Sequence, residues 1–300
     1  IWKIGAISIP LFKLFGEAAL KSRLQDSGAK VVLTDDEGLN ILSALDGLPS
    51  LASIVVAERI PPQDTKNFIP LETNADDPAV LIYTSTGPPK GALHGHRILL
   101  GHLPGVEMSH DFFPQENDVI WTPADWAWIG GLFDVLMPAL HHGRPVVASR
   151  MNKFSSLQCK EIIEQTGITN IFFPPTALKI LKADGIKIDG LRSVASGGEP
   201  LGIEMLNWGK QAFGLTINEF YGQTECNMIA SSCGAAFKAT PGAIGKPVAG
   251  HRLAVLDAQG QEISHKTIRN CLEKGYAERW FANPLKPDWL VCRLTETGRS

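Results

Sequence analysis

The chain has 300 residues, 44% hydrophobic and 20% charged, which is enough apolar material for one large α/β domain or two ordinary ones. Its 28 Lys and Arg against 31 Asp and Glu give a formal charge of -3, which speaks against a nucleic-acid surface. The longest apolar stretches, such as IGGLFDVLMPAL, fall short of the roughly 20 residues of a membrane span and contain a proline.

From the N-terminus, EAALKSRLQDSG carries Leu20 and Leu24 at i,i+4 and is followed by Gly28, which predicts a helix with a glycine C-cap. AKVVLTD then predicts a buried strand, and SIVVAE and AVLIYT predict two more. His96 to Ser109 reads as a helix with an early break near Pro104, and DVIWT as a short strand. A helix around Ile129 to Leu140 and a strand at RPVVAS follow. SSLQCKEIIEQTG predicts a helix with Ser155 or Ser156 as N-cap, ITNIFF a strand, and PTALKILKADG a helix with Pro175 near its start. LRSVAS, the helix LGIEMLNWGKQAFG and LTINEFYG complete the series. This alternation predicts an α/β fold of mostly parallel sheet flanked by helices. The rhythm fades after about Ile244, where HRLAVLDAQGQEI still predicts a hairpin strand, and clear periodicity is lost beyond Ser264.

The stretch AVLIYTSTGPPKGALHGHR places glycine, small hydroxyl residues and Lys90 directly after a strand. Parallel sheets bind ligands at the carboxyl ends of their strands, and such a loop offers N–H and hydroxyl donors to phosphate. Lys90 adds a point charge for an anion. The order of residues is not that of a Walker A loop, and the two prolines prevent a helix from starting there. The same letters also suit an ordinary strand-to-strand turn.

YTSTGPPKG resembles the signature loop of the AMP-forming acyl-CoA synthetases within the adenylate-forming enzyme superfamily, commonly Y-T-S-G-T-T-G-x-P-K-G. SGGEPLG (196–202) is similar to that family's adenine-contacting segment, and NEFYGQTE (218–225) to its Y-G-x-T-E motif. PADWAWIGG (123–131) resembles the aromatic segment lining the acyl pocket, and PGAIGKPVAGHRLAVLDAQG continues the same order. The acetyl- and medium-chain branch is the nearest in character.

The resemblance implies the large N-terminal domain of that superfamily, covering residues 1–263 and beginning mid-domain, with a divergent remnant at 264–300 and no small C-terminal domain. It implies that Thr84, Ser85, Thr86, Gly87 and Lys90 hold the β- and γ-phosphates of ATP. Gly198, Glu199 and Pro200 lie along the adenine, with Tyr221 stacked near the base and Gly222 and Gln223 in the same nucleotide segment. Thr224 reaches the α-phosphate, and Glu225 holds Mg2+. Trp126, Trp128, Gly131 and Gly222 line the acyl pocket, although two tryptophans two apart on a strand also suit core packing. A small carboxylic acid, ATP and CoA are the implied partners, and catalysis rests on electrostatic positioning with Thr224, Glu225 and Lys90. Acetate-specific members carry Trp where this chain has Gly222, so a short- or medium-chain acid larger than acetate is expected.

The chain departs from the pattern in places. Its loop is two residues shorter than the family's, and the aspartate expected on the ribose is replaced by Leu294 or Arg299, depending on alignment. Two alternatives therefore stand beside a synthetase: an adenylating enzyme that loads a carrier protein, and a catalytically decayed nucleotide- or acyl-binding protein. The cysteines (Cys159, Cys226, Cys233, Cys271, Cys292) are scattered and unpaired, which reads as reduced thiols in a cytoplasmic protein. His94, His96, His141 and His142 lack acidic or thiol neighbours at metal-binding spacing.

Overall fold

The computed structural model describes residues 1–61, 68–84, 89–149, 151, 153–240 and 243–254, together with the backbone of 277–279 and 292–294. They form two compact units, Ile1–Ile98 with Asp125–Ile129, and Leu99–Ala124 with Gly130–Ser300.

In the first unit, α1 (Glu17–Ser27) stops at Gly28, whose φ of 60° lets its N–H return to the carbonyls of Gln25 and Leu24. Strands β1 (Val31–Thr34) and β2 (Ser53–Val56) pair in parallel, joined through α2 (Asp36–Ser43). Asp35 caps α2 by accepting from the Gly38 N–H at 2.9 Å. The expected burial of β1 is not met. Val31 is 59% and Leu33 58% exposed, in a sheet of only two strands. The sheet opens on a cavity of about 1040 Å3, shared with Phe12, Phe15, Leu20 and Leu24. Strands β3 (Pro78–Tyr83) and β4 (Gly91–Gly95) form an antiparallel hairpin closed at Tyr83 and Gly91. Strand β4 is not among the predicted elements, since GALHG has no β-branched residue to announce it.

The second unit is built on a six-stranded sheet in the order β10-β9-β8-β7-β6-β5. Its strands are β5 (Ile120–Trp121), β6 (Asn170–Phe172), β7 (Ser193–Gly197), β8 (Ile217–Gln223), β9 (Asn227–Ser231) and β10 (Lys246–Pro247). The pairings from β5 to β8 are parallel, and those of β8–β9 and β9–β10 antiparallel. Strands β6 and β7 are buried on both faces, as parallel strands under helices must be. Alternate residues go to opposite cores. Ile171 and Val194 join Leu178, Leu181 and Phe213, whereas Phe172 and Ala195 join Val106, Val135 and Ala139. The first core is covered by α6 (Ser156–Thr166), α7 (Pro175–Ala183) and α8 (Ile203–Phe213). The second is covered by α3 (Ile98–Ser109) and by α4 (Ile129–Gly131), a π-helical turn at Leu132–Leu136 and α5 (Met137–His141).

Two expectations are corrected here. Helix α3 runs through Pro104 without a break: the proline forfeits one backbone bond, and burial of Leu103 and Val106 offsets it. RPVVAS contributes only a single bridge, Val146 to Ile120, because β5 itself is two residues long. His251 to Ala254 has no regular structure, and the rest of that predicted hairpin lies outside the described residues. So does the remnant at 264–300, apart from the antiparallel backbone pairing of β11 (Ala277–Arg279) with β12 (Cys292–Leu294).

Candidate active site

Strands β7 and β8 run side by side in parallel with Gly197 opposite Phe220, so the segments leaving their carboxyl ends emerge together. A Cβ on Gly197 would lie 2.3 Å from the Phe220 ring, and glycine is what allows the two strands this approach. Gly198 follows at φ 101°, turning the chain so that Gly198, Glu199 and Pro200 are all exposed at the sheet edge. The turn is anchored from β8, where buried Glu219 accepts the Leu201 N–H at 2.9 Å. Glu199 pairs with Lys179 of α7 at 3.0 Å.

On β8 the motif residues alternate outward. Tyr221 is 40% exposed and Gln223 is exposed. A three-residue turn, Thr224 to Cys226, reverses the chain into β9 at Asn227, whose φ is 56°. Glu225 is exposed at the tip and Thr224 half-buried. The predicted residues 198–200 and 221–225 therefore share one edge, the carboxyl ends of parallel strands, where an α/β sheet binds its ligands. Among the described residues no three His, Cys, Asp or Glu cluster as a ready-made metal site. Exposed Glu225 carries a carboxylate, a ligand type of which Mg2+ takes one or two.

In the first unit, Thr84 and Lys90 close the base of the phosphate-type loop. The Thr84 N–H donates to the Lys90 carbonyl at 2.9 Å, and the Lys90 N–H donates to Thr84 Oγ1 at 3.1 Å. Lys90 is exposed. Ser85, Thr86 and Gly87 lie outside the described residues. Tyr83, at the loop's entry, sits 2.6 Å from Asp26 Oδ2, and burial together with that carboxylate pushes its hydroxyl up to about 12, so it stays protonated. Trp126 and Trp128 stand on a turn, not the strand considered for them, because Asp125 accepts the Ala127 N–H at 2.7 Å. Trp126 is half-buried, while Trp128 is 41% exposed and meets Phe12 edge-to-face at 6.2 Å. Gly131 is buried in the second unit. The 1040 Å3 cavity of the first unit has none of the described motif residues in its walls.

A family model described as AMP-binding enzyme matches residues 1–268. The chain belongs to that family. The acetyl-coenzyme A synthetase of Bacillus subtilis is 31% identical to this chain over 297 residues, covering 91% of the chain and 51% of the relative. An acyl-CoA synthetase of Brucella canis superposes with a TM-score of 0.78 at 28% identity, over 88% of the chain and 51% of that structure. An anthranilate CoA ligase in complex with anthranoyl-AMP gives 0.76 at 25% identity, over 87% and 53%. The fold is thus the large α/β domain of the adenylate-forming enzymes. The chain spans about half the length of the curated relatives it matches.

One polar pair next to the motif hairpin has no signature in the sequence. His102 of α3 and Asp134 of the π-helical turn, 3% exposed each, meet at 2.5 Å between Nε2 and Oδ1. Isolated polar letters inside apolar helices carry no motif to flag them.

Proposed function

We propose that this chain is the nucleotide- and acyl-binding body of an AMP-forming acyl-CoA synthetase acting on a small carboxylic acid. In that reading the carboxylate attacks the α-phosphorus of ATP, pyrophosphate leaves, and the acyl group passes from AMP to the thiol of CoA. The observation that carries it is the convergence of residues 198–200 and 221–225 at one edge of a parallel sheet, in a chain of the AMP-binding family. Exposed Gly198, at φ 101° and with open space beside its Cα, lets a planar ligand approach the backbone, and Tyr221 offers an exposed ring for it to stack on. Thr224 offers a hydroxyl donor to the α-phosphate, and Glu225 the carboxylate for Mg2+, whose role is to neutralise charge on the phosphates. Lys90 and the hydroxyls of the 84–87 loop are assigned to the leaving pyrophosphate.

The acid we assign is short- to medium-chain and larger than acetate, on the ground that Gly222 stands where acetate-specific members carry Trp. Titration calorimetry with MgATP and with a non-hydrolysable acyl-adenylate mimic tests the binding reading. Pyrophosphate exchange with acetate, butyrate and hexanoate tests the acid. Binding of the mimic is the expected result, and binding of neither ligand would overturn the proposal. A preference for acetate would overturn the chain-length assignment alone. Binding without exchange would favour the second reading, a decayed binding protein, which the shortened loop favours.

A further inference from the structure

The hairpin bearing Tyr221 to Glu225 is held from behind by a side chain that none of the motifs contains. His102 lies in the middle of α3, 3% exposed, and uses both ring nitrogens. On one side Nε2 is 2.5 Å from Asp134 Oδ1. On the other, Nδ1 accepts the backbone N–H of Met228 at 3.4 Å. Met228 directly follows Asn227, the positive-φ residue that closes the turn, and its partner across β8 is Gly222. The Met228 side chain packs on the same helix, since a Cβ on Gly105 would lie 3.1 Å from it.

An acceptor role at Nδ1 and a carboxylate at Nε2 are mutually consistent only if the proton sits on Nε2. Asp134 therefore selects the tautomer that leaves Nδ1 bare for the hairpin. Its carboxylate is presented from a π-helical turn, a rare local geometry that changes which residue faces inward. A carboxylate, an imidazole and a backbone amide thus form one continuous buried chain linking three elements of the second unit.

We propose that His102 is a positioning residue for the motif hairpin, with Asp134 fixing its tautomer, so that Thr224 and Glu225 are held ready for the nucleotide. The assignment to nucleotide binding rests on the proposed function; the assignment to the hairpin does not. Glutamine at 102 keeps an N–H donor near Nε2 and removes the acceptor for Met228. Asparagine keeps an acceptor near Nδ1. H102Q is expected to speed exchange of the Met228 amide roughly tenfold and to weaken binding of the acyl-adenylate mimic to a similar degree, with little change in Tm. H102N is expected to restore both to within about threefold of the parent chain, at a lower Tm because it leaves buried Asp134 without its donor.

If H102Q protects Met228 as the parent does, or if both variants lose affinity and Tm equally, His102 is only core packing and the proposal fails. Should the parent chain bind no mimic, the functional reading fails, while amide exchange still decides the positioning role. If neither variant folds, long-range 1H–15N spectra of the parent decide: a ring protonated on Nε2 alone supports the proposal, and a ring protonated on Nδ1 overturns it.

Discussion

A Cβ built on Gly222 would lie 2.2 Å from the Asn227 carbonyl oxygen and 3.0 Å from the Met228 nitrogen, so this position is crowded by the backbone of its own hairpin. The absence of a side chain is then a demand of the turn. Gly222→Ala is expected to lower stability by about 1–3 kcal/mol in urea denaturation, because the obstruction is backbone and cannot swing aside. His110 presents a different residue-level effect. It is 1% exposed, with Nδ1 2.9 Å from Ser193 Oγ, and burial followed by the charge of Arg192 lowers its ring from 6.5 to about 3. Between those two values the unfolded chain takes up a proton that the folded chain excludes, so stability falls as pH drops from 6.5 toward 3. The slope from this group is up to ~1.4 kcal/mol per pH unit. Urea melts at pH 7 and pH 5 are expected to show a smaller difference in His110→Gln than in the parent chain.

Among elements, the end of the sheet opposite the motifs is clasped by one ion pair. Arg192, just before β7, donates from Nε and Nη2 to the two oxygens of Asp118 at 2.6 Å each. The same guanidinium reaches the carbonyls of Asp111 at 2.8 Å and His110 at 3.0 Å, groups that α3 leaves unpaired just past its C-terminus. Asp118 is 2% exposed, so Arg192→Leu strands a buried carboxylate and is expected to cost about 3 kcal/mol. The double variant with Asp118→Leu is expected to recover part of that loss, because burying neither charge removes the desolvation penalty. Helix starts are simpler. Ser155 accepts the Gln158 N–H at 3.4 Å, and Ser155→Ala should cost about 1 kcal/mol by the same denaturation assay.

At the scale of the molecule, the two units present different surfaces. The second buries its parallel strands on both faces, while the first leaves Val31 and Leu33 open beside a wide apolar cavity. Leu33→Glu is therefore expected to reduce binding of the dye ANS by the purified chain, and an unchanged signal would place the dye elsewhere. The alternation of helix and strand, the cap at Gly28, an N-cap at Ser155 or Ser156 and the order of the motifs were legible in the letters, because each depends on neighbours within about a turn or a strand. Hairpin β3–β4, the exposure of β1 and the uninterrupted α3 were not, since strand pairing and the cover over a face depend on residues distant in sequence. By itself, then, the sequence determined family, most of the element order and the letters of the motifs, which local chemistry and pattern suffice to specify. Only the tertiary structure decided that 198–200 and 221–225 share an edge, and that His102 and Asp134 stand behind them. Register between strands and the pairing of buried polar groups arise when segments far apart in the chain come into contact.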